Sequence, residues 1–519
     1  MSSALLKSTG VVGAMTLISR VLGFLRDVIF AVMFGAGPWM DAFLVAFKIP
    51  NFMRRMFAEG AFAQSFVPVI TDVRAQGDAA EVRDLVDVVA GTFGAILVAI
   101  TAVGVVAAPL LILVFAPGFA DSADQFALST QMLRLTFPYL LFIALTAFAG
   151  GILNTYGRFA VPAFTPVLLN LCLIGAALWL APYFDRPVMA LALGVLAAGV
   201  LQLAFQVPFL LRLGLMPRPR WGWAHVQVRR IVRLMLPILF GASVAQINLM
   251  LTTIIATFLA AGSVSWLYYA DRLMEFPLGV FSIAIGTVIL PNLSGHHAED
   301  AAAAFSATLD WALRVLIVIG TPAMLALFVL AGPLVATLFQ YGEFSAHDLR
   351  MTRYALCAYA FGFMGFSLVK VLLPGFFARH DSRTPVRYGV ISVLAAMTLN
   401  FVFVGAALVL DWPAPHAGLA AATSVGAFVN AGLLYVGLRR TGIYHPGAGW
   451  VALYARVALA CAVMALVLWW LAGDLAVWVT ADAAQKSLWL AGLVGAGLLA
   501  YFLSALVVGL RPRHLRGAA

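Results

Sequence analysis

Ionisable side chains interrupt the apolar stretch DAFLVAFKIPNFMRRMFAEGAFAQSF at residues 41–66. One charge in the middle of a bilayer costs roughly 2.5–3.5 kcal/mol, so a span with several would be opposed by on the order of 10 kcal/mol. Charges persist there when they face a water-filled cavity or one another. The stretch therefore predicts a polar site inside a membrane domain. Its charged members are Asp41, Lys48, Arg54, Arg55 and Glu59.

Helical periodicity places all of these charges except Arg54 near one stripe. Pro50 is predicted to bend the helix and to shift its phase. Asn51 is predicted to satisfy the backbone groups that the bend frees. The direction in which each charge points therefore depends on this bend.

A second charged run, SRVLGFLRD, covers residues 19–27. Arg20 and Asp27 are seven residues apart and share a helix face, with Ser19 at the start of the run. Arg26 is expected to point elsewhere unless the helix flexes at Gly23. This run predicts a second helix that contributes to the polar site.

Two later runs add charges to apolar segments. YYADRLMEFP at 268–277 clusters Asp271 and Arg272 with Glu275, at spacings that bring side chains together on a helix. SLVKVLLPG at 367–375 contains Lys370 alone. Both runs are candidates for the same site.

The charges in these runs are unequal in sign. Positive residues outnumber negative ones by two, and arginine, whose planar fork suits phosphate oxygens, dominates. We therefore predict a cavity for an anionic, phosphorylated substrate. The alternative is that internal salt bridges only hold helices in register, and Lys48, Arg55 and Asp271 are the individual residues most open to that reading. The positive set is Arg20, Arg26, Lys48, Arg54, Arg55, Arg272 and Lys370, and the negative set is Asp27, Asp41, Glu59, Asp271 and Glu275.

The composition is that of a membrane protein. Of 519 residues, 63% are hydrophobic and only 10% are charged, whereas soluble domains carry about 25% charged residues. The net charge of +10 does not indicate nucleic-acid binding, because the basic residues lie mostly in short loops. The three cysteines show no disulfide or metal-ligand spacing. The N-terminal run is interpreted as a retained first helix, since Arg20, Arg26 and Asp27 interrupt it.

Hydropathy predicts an all-α polytopic membrane protein with about fourteen transmembrane helices. Loops on one side hold eighteen Lys and Arg residues, from Lys7 to Arg516, and those on the other side hold four, from Arg186 to Lys486. The positive-inside rule therefore places both termini in the cytoplasm. The predicted spans are 8–33, 40–70, 86–114, 126–153, 160–181, 187–211, 231–260, 266–291, 306–330, 348–375, 387–410, 416–438, 450–472 and 487–510.

The chain also repeats itself. NLCLIGAAL at 170–178 matches NFVFVGAAL at 400–408, and further matches follow in the same order. An even number of helices per repeat predicts two six-helix lobes related in parallel, the architecture of a transporter. The predicted domains are an N-lobe at 1–215, a C-lobe at 216–445 and two extra helices at 446–519. These extra helices are nearly uncharged, which suits either a groove for a lipid tail or simple padding of the bundle.

No enzyme motif is present: the sequence lacks a Walker A loop, an HExxH motif and a nucleophile elbow. No catalytic residue, metal site or cofactor is therefore predicted. The residues favour transport without chemistry on the substrate.

Several long motifs resemble the MurJ (MviN) family of lipid II flippases. They are SRVLGFLRDVIFAVMFGAG, DAFLVAFKIPNFMRRMFAEGAFAQSFVPV, SVSWLYYADRLMEFPLGV, APGFAD, ILNTYGRF and LFQYGEF. The resemblance implies the multidrug/oligosaccharidyl-lipid/polysaccharide exporter fold, with a groove for the lipid tail along the extra helices. It implies that Arg20, Arg26, Arg54 and Arg272 bind the substrate, and that Asp41 and Glu59 are the acidic positions of its cavity.

The implied substrate is undecaprenyl-pyrophosphate carrying a disaccharide-pentapeptide, moved across the bacterial inner membrane for peptidoglycan synthesis. Membrane lipids and cell-wall synthesis proteins are the further partners, and no nucleic acid is expected. The family's sodium site needs acidic or amide groups in spans 7 and 11, where only Gln246, Asn248 and Asn400 stand, which does not favour cation coupling. From the positive surplus of the cavity and the negative charge of the pyrophosphate we hypothesise that membrane potential drives turnover, mainly through the return of the empty cavity. The alternatives are a multidrug exporter, an exporter of another polyprenyl-linked oligosaccharide, and a non-transporting scaffold for cell-wall enzymes.

Overall fold

The computed structural model describes residues 3–55, 61–294, 301–377, 379 and 381–510, and all regular elements in these ranges are helical. The first ten helices are α1 (Ser3–Phe34), α2 (Pro38–Arg54), α3 (Ala63–Ala75), α4 (Ala79–Val106), α5 (Ala108–Phe115), α6 (Ala123–Thr136), α7 (Tyr139–Thr155), α8 (Ala160–Gly175), α9 (Met189–Leu213) and α10 (Val226–Thr257). The rest are α11 (Ser263–Ser294), α12 (Ala301–Val329), α13 (Ala331–Leu338), α14 (Ala346–Phe377), α15 (Arg383–Val409), α16 (His416–Arg440), α17 (Trp450–Ala472), α18 (Leu475–Thr480) and α19 (Ala483–Val507).

Ten helical segments in the described ranges are long and apolar enough to cross a membrane. An all-helical membrane fold is therefore confirmed, while the count of fourteen spans stays a prediction. Helices α1, α2 and α11, which carry most of the charged site residues, are not among the ten. The segments are α4, α6 with α7, α8 with the short turns after it, α9, α12, α14, α15, α16, α17 and α19.

Some predicted spans consist of two helices. The span at 86–114 divides at Ala107, where α5 begins with Pro109 in its first turn. Proline lacks an N–H and suits a helix start, so it ends the preceding ladder. The span at 40–70 is divided between α2 and α3, and residues 56–60 lie outside the described residues.

The chain forms two compact units, Met1–Ser265 and Trp266–Ala519. In the N-terminal unit α1 packs against α8, α2 against α6, and α7 against α9, while α10 contacts α3 and α5. Phe66 is fully buried where α3 meets α7, with its ring 5.0 Å from that of Phe148. The lobe boundaries at 215 and 445 stay predictions.

In the C-terminal unit α14 and α15 both pack against α16. Glycine brings α14 close to α16, because a Cβ at Gly362 would collide with Ser424 and one at Gly365 would come within 3.0 Å of the Phe428 backbone nitrogen. Small residues allow this close approach of helices in a membrane. The two helices therefore form a tightly packed pair.

Helices α17 and α19 pack against each other and onto the C-terminal unit through α12 and α13. The Tyr501 hydroxyl of α19 donates to the Val318 carbonyl of α12 at 2.5 Å. The sequence predicts Lys486 as a loop cation, but this residue lies in the first turn of α19, is 2% exposed, and donates to Gln340 Oε1 at 2.7 Å. Specific contacts thus hold the two last long helices in place.

Candidate substrate site

Arg26 is buried in α1 at 8% exposure. Its Nε and Nη2 donate to Asp27 Oδ1 at 2.9 and 2.7 Å, although the helical phase of α1 predicts that Arg26 points away from Asp27. The Arg26 guanidinium carbon also lies 5.6 Å from the centre of the ring of Phe30, one turn further along α1. Since a buried charge is costly unless it is paired and hydrogen-bonded, this contact fixes both residues.

Asn170 of α8 completes the Arg26 network. Its Oδ1 accepts from Arg26 Nη1 at 3.0 Å, and its Nδ2 donates to the Ser19 carbonyl at 2.9 Å. The amide therefore joins two positions of α1 that lie on either side of Gly23. Helix α1 continues through Gly23, so the predicted flexing is not needed to bring these residues together.

Arg20 differs from Arg26 because its side chain is exposed. In the described part of the chain it makes no ion pair or hydrogen bond. It lies one residue after Ser19, whose carbonyl is held by Asn170. This arrangement leaves a guanidinium able to bind an anion next to a fixed polar network.

Asp41 of α2 is 2% exposed and bonded to the turn between α10 and α11. It accepts from the Gly262 and Ser265 backbone N–H groups at 2.7 and 2.8 Å, and from Ser265 Oγ at 2.5 Å. Hydrogen bonds to a carboxylate are stronger than neutral ones. Asp41 therefore positions this turn against α2 within the N-terminal unit.

The remaining cations of α2 are half-buried. Lys48 Nζ donates to Thr253 Oγ1 of α10 at 2.5 Å, and Arg54 Nε donates to Asn51 Oδ1 at 2.7 Å. The Asn51 side-chain oxygen thus accepts from a guanidinium, whereas sequence analysis assigned this residue to the backbone around Pro50. Arg55 follows α2 directly and lies within electrostatic range of Arg54.

Arg26 and Arg54 share a buried neighbour. Tyr139 at the start of α7 is 1% exposed and lies within electrostatic range of both guanidinium groups. Two cations from α1 and α2 therefore act on one region of the N-terminal unit. Glu59, predicted for the same site, lies outside the described residues.

In the C-terminal unit, Arg272 Nη1 donates to Glu275 Oε2 at 2.6 Å. The Arg272 guanidinium carbon also lies 5.0 Å from the centre of the Tyr268 ring. Asp271 and Glu275 both lie within electrostatic range of Tyr359 on α14, a helix that also carries the exposed Lys370. The convergence of Arg272 with the three arginines of the N-terminal unit on one cavity stays a prediction.

A cleft of about 540 Å³ lies where α17, α18 and α19 approach one another. Its walls are largely apolar and include Leu471, Trp478, Trp489 and Leu493. The Trp478 and Trp489 rings meet edge-to-face with centres 5.7 Å apart. This surface suits a hydrocarbon ligand.

Sequence reasoning missed Asn170, Thr253 and Ser265 as partners of the site. The apolar run around Asn170 contains no other amide or charge, which is a signal that such a residue has a role. Thr253 and Ser265 give no comparable signal, because hydroxyl residues commonly bond their own helix backbone. In the described residues, no three His, Cys, Asp or Glu side chains are grouped to hold a metal ion.

Solved structures place this fold among membrane transporters. An inward-facing multidrug resistance MATE family transporter of the MOP superfamily aligns with a TM-score of 0.61 at 14% identity, over 85% of this chain and 99% of that chain. A lipid II flippase MurJ in an inward closed conformation aligns with a TM-score of 0.79 at 25% identity, over 97% of this chain and 99% of that chain. The fold is thus that of a polytopic transporter.

The family model for lipid II flippase MurJ matches residues 30–488. The probable lipid II flippase MurJ of Vibrio cholerae serotype O1 is 46% identical over 100% of this chain and 98% of its own length. The lipid II flippase MurJ of Burkholderia cenocepacia is 42% identical over 89% of each chain. The chain belongs to the MurJ family of lipid II flippases.

Proposed function

We propose that this chain flips lipid II from the cytoplasmic to the periplasmic leaflet of the bacterial inner membrane. Family membership and the cations inside α1 and α2 support this function. The single observation that carries it is the exposed guanidinium of Arg20 beside the fixed Arg26–Asp27–Asn170 network. In the cell, the activity serves peptidoglycan biosynthesis, cell wall biogenesis and cell shape.

In this mechanism Arg20, Arg26, Arg54 and Arg272 bind the pyrophosphate while the polyprenyl tail remains in lipid. Two six-helix lobes rock around the head group to give alternating access, and both termini lie in the cytoplasm. The polar head then crosses without meeting hydrocarbon. Cell-wall synthesis proteins are the partners that would supply or consume the substrate.

Arg20→Ala in proteoliposomes containing lipid II tests this proposal. We expect loss of flipping with normal insertion and thermal stability, because Arg20 makes no ion pair or hydrogen bond in the described part of the chain. Arg186→Ala is the matched control, since Arg186 is an N-terminal-unit arginine bonded to Asp124 at the surface. Normal flipping by Arg20→Ala would remove the phosphate-binding role.

The same vesicles separate the alternatives. A multidrug exporter would accumulate a lipophilic cation in an Arg20-independent manner, and a scaffold would move neither compound. An exporter of another polyprenyl-linked oligosaccharide would prefer that glycan to lipid II. The shared fold of the MATE transporter, at 14% identity, does not favour drug export over lipid transport.

The cleft between α17 and α19 supports a role in guiding the lipid tail. Trp489→Gln would place a polar amide on its wall, and we expect slower flipping with normal folding. Trp469→Gln is the matched control, because Trp469 lies on α17, is 71% exposed and is not one of the residues that line the cleft. If a chain ending near residue 445 remained a stable and active flippase, α17 and α19 would have no part in transport.

Membrane potential is the proposed driving force. Moving one charge through 100 mV is worth roughly 2.3 kcal/mol. In the loaded cavity the surplus positive charges roughly cancel the pyrophosphate's charge of about minus two, so the loaded step feels little of the membrane potential. A cavity with a surplus of positive charge returns empty in the direction that the same field favours. Flipping under an imposed potassium-diffusion potential, without proton or sodium gradients, should reverse its response with the sign of the potential; an unchanged rate would favour ion coupling.

A further inference from the structure

A second cleft, of about 490 Å³, lies in the C-terminal unit where α12, α14, α16 and α17 meet. Its deep wall is apolar and includes Leu313, Leu372 and Phe428, whose helices are all long and apolar enough to cross a membrane. Its outer wall includes Trp450 and Arg439. The cleft therefore changes from hydrocarbon-like to polar along its length.

The carboxylate of Asp310 accepts the hydrogen bonds that fix the outer wall in place. Asp310 Oδ1 accepts from the Tyr444 hydroxyl at 2.7 Å, Trp450 Nε1 at 2.8 Å and the Gly447 N–H at 3.1 Å. Asp310 Oδ2 accepts from Arg314 Nε at 2.6 Å. Burial and the bond to Asp310 raise the pKa of Tyr444, so its hydroxyl remains a donor. A wall fixed in this way reduces the ordering cost of binding.

Arg439 is the charged residue that lines the cleft. Arg439 and Arg440 both stand in the last turn of α16 and are exposed, but only Arg439 lines the cleft. In the described ranges neither arginine makes an ion pair. The charges of Asp310 and Arg314 neutralise each other in their ion pair. Arg439 is therefore the cation that a ligand in the cleft would contact.

We propose that this cleft binds an anionic glycerophospholipid, with one acyl chain among the apolar residues and its phosphate on Arg439. Basic pockets between membrane helices are suited to anionic head groups, and Trp and Tyr occupy the interfacial level of a bilayer. This site is separate from the proposed transport of lipid II. Bound lipid would hold the 441–449 connection against α12 and so secure α17.

The size of the cleft distinguishes its occupant from a polyprenyl tail. A methylene group is close in size to a water molecule, which occupies about 30 Å³ in the liquid. A volume of about 490 Å³ therefore holds on the order of sixteen chain carbons. One fatty acyl chain has about this number of carbons, whereas a polyprenyl chain of 55 carbons has several times as many.

Filling the cleft tests the acyl-chain site. A Cβ at Gly432 meets no atom within 4 Å, so Gly432→Leu projects into open space, and replacing a helical glycine favours the helix by about 1 kcal/mol. The full chain is titrated in neutral detergent with palmitoyl-oleoyl phosphatidylglycerol, with native mass spectrometry and Tm as readouts. We expect one bound lipid and a raised Tm for the unmodified chain, both lost in Gly432→Leu. Gly405→Leu, on α15 and away from the cleft, is the matched control and should bind normally.

Removing the cation tests the head-group site. Arg439→Gln should weaken phosphatidylglycerol binding about fivefold, and Arg440→Gln, with the same charge change, should weaken it much less. Phosphatidylcholine should bind about as weakly to the unmodified chain as phosphatidylglycerol does to Arg439→Gln, and glycerol phosphate without chains should not compete. Equal effects of the two arginine variants, or retained binding in Gly432→Leu, would overturn the proposal. Displacement of the phospholipid by a 55-carbon prenyl phosphate would overturn it by assigning the cleft to the transport route.

Discussion

Asn170 and Asn400 occupy matching positions of the two sequence repeats, on α8 and α15, but their surroundings differ. Asn170 uses its amide to bond Arg26 and the Ser19 carbonyl of α1. Asn400 is fully buried, and neither of its amide atoms has a hydrogen-bond partner in the described part of the chain. The same residue is a structural support for a charged network in one half and an uncompensated polar group in the other.

This difference predicts that the two asparagines contribute unequally to stability. A buried amide without partners costs about 1–3 kcal/mol, so Asn400 weakens its helix bundle rather than strengthening it. The N-terminal unit instead has its amide and its buried Arg26–Asp27 pair in one hydrogen-bonded group. We infer that head-group binding depends more on the N-terminal unit.

The largest loss of flipping and of stability is expected for Arg26→Ala. It removes the Arg26 guanidinium from the buried Asp27 carboxylate, and breaking a buried ion pair in this way costs about 3–5 kcal/mol. Flipping should fall by at least 100-fold and denaturant stability should decrease. Arg314→Ala in the C-terminal unit breaks a less buried pair and should have a smaller effect; equal losses in the two variants would contradict the asymmetry.

Replacement of the two asparagines by leucine is expected to change stability with opposite signs. Asn170→Leu removes one of the acceptors of the buried Arg26 guanidinium and should destabilise the chain by about 1–3 kcal/mol, with reduced flipping. Asn400→Leu removes an unpartnered amide and should leave stability unchanged or raise it. Thermal unfolding of the two variants in the same detergent measures both. Similar destabilisation by both would show that Asn400 has a partner of equal value.

A smaller loss of flipping is expected when an arginine is replaced by lysine, which keeps the positive charge but changes the shape of the side chain. Arg20→Lys and Arg54→Lys retain the positive charge but lose the planar fork that binds phosphate with two parallel bonds. Losing one such hydrogen bond corresponds to about fivefold slower flipping. Lys48→Arg is the reverse control on α2. Full activity in both lysine variants would mean that the site requires only positive potential.

Local patterns in the sequence were sufficient for much of the fold. Long apolar runs predicted α15, α16 and α17 close to their observed bounds, since hydropathy alone decides such spans. The contact between Arg272 and Glu275 likewise follows from helical spacing. These features depend on residues near one another in the chain.

Local sequence patterns could not identify contacts between residues that are distant in the sequence. The bonds from Asp41 to Ser265 and from Lys48 to Thr253 join residues more than two hundred positions apart. Spacing on one helix gives the direction of a side chain and not the helix that it faces. The contact of Arg26 with the adjacent Asp27 was missed for a different reason: helical phase assigned Arg26 to another face, but its long side chain is flexible enough to reach Asp27.

The close contact of α14 with α16 has a mechanical consequence. Gly362 and Gly365 leave no side-chain layer between the two backbones, so sliding one helix along the other would drive Ser424 into the α14 backbone. Packed interfaces of this kind are not continuously deformable. The two helices therefore move as one rigid body. Any bending of the C-terminal unit is concentrated in the turns that connect its helices.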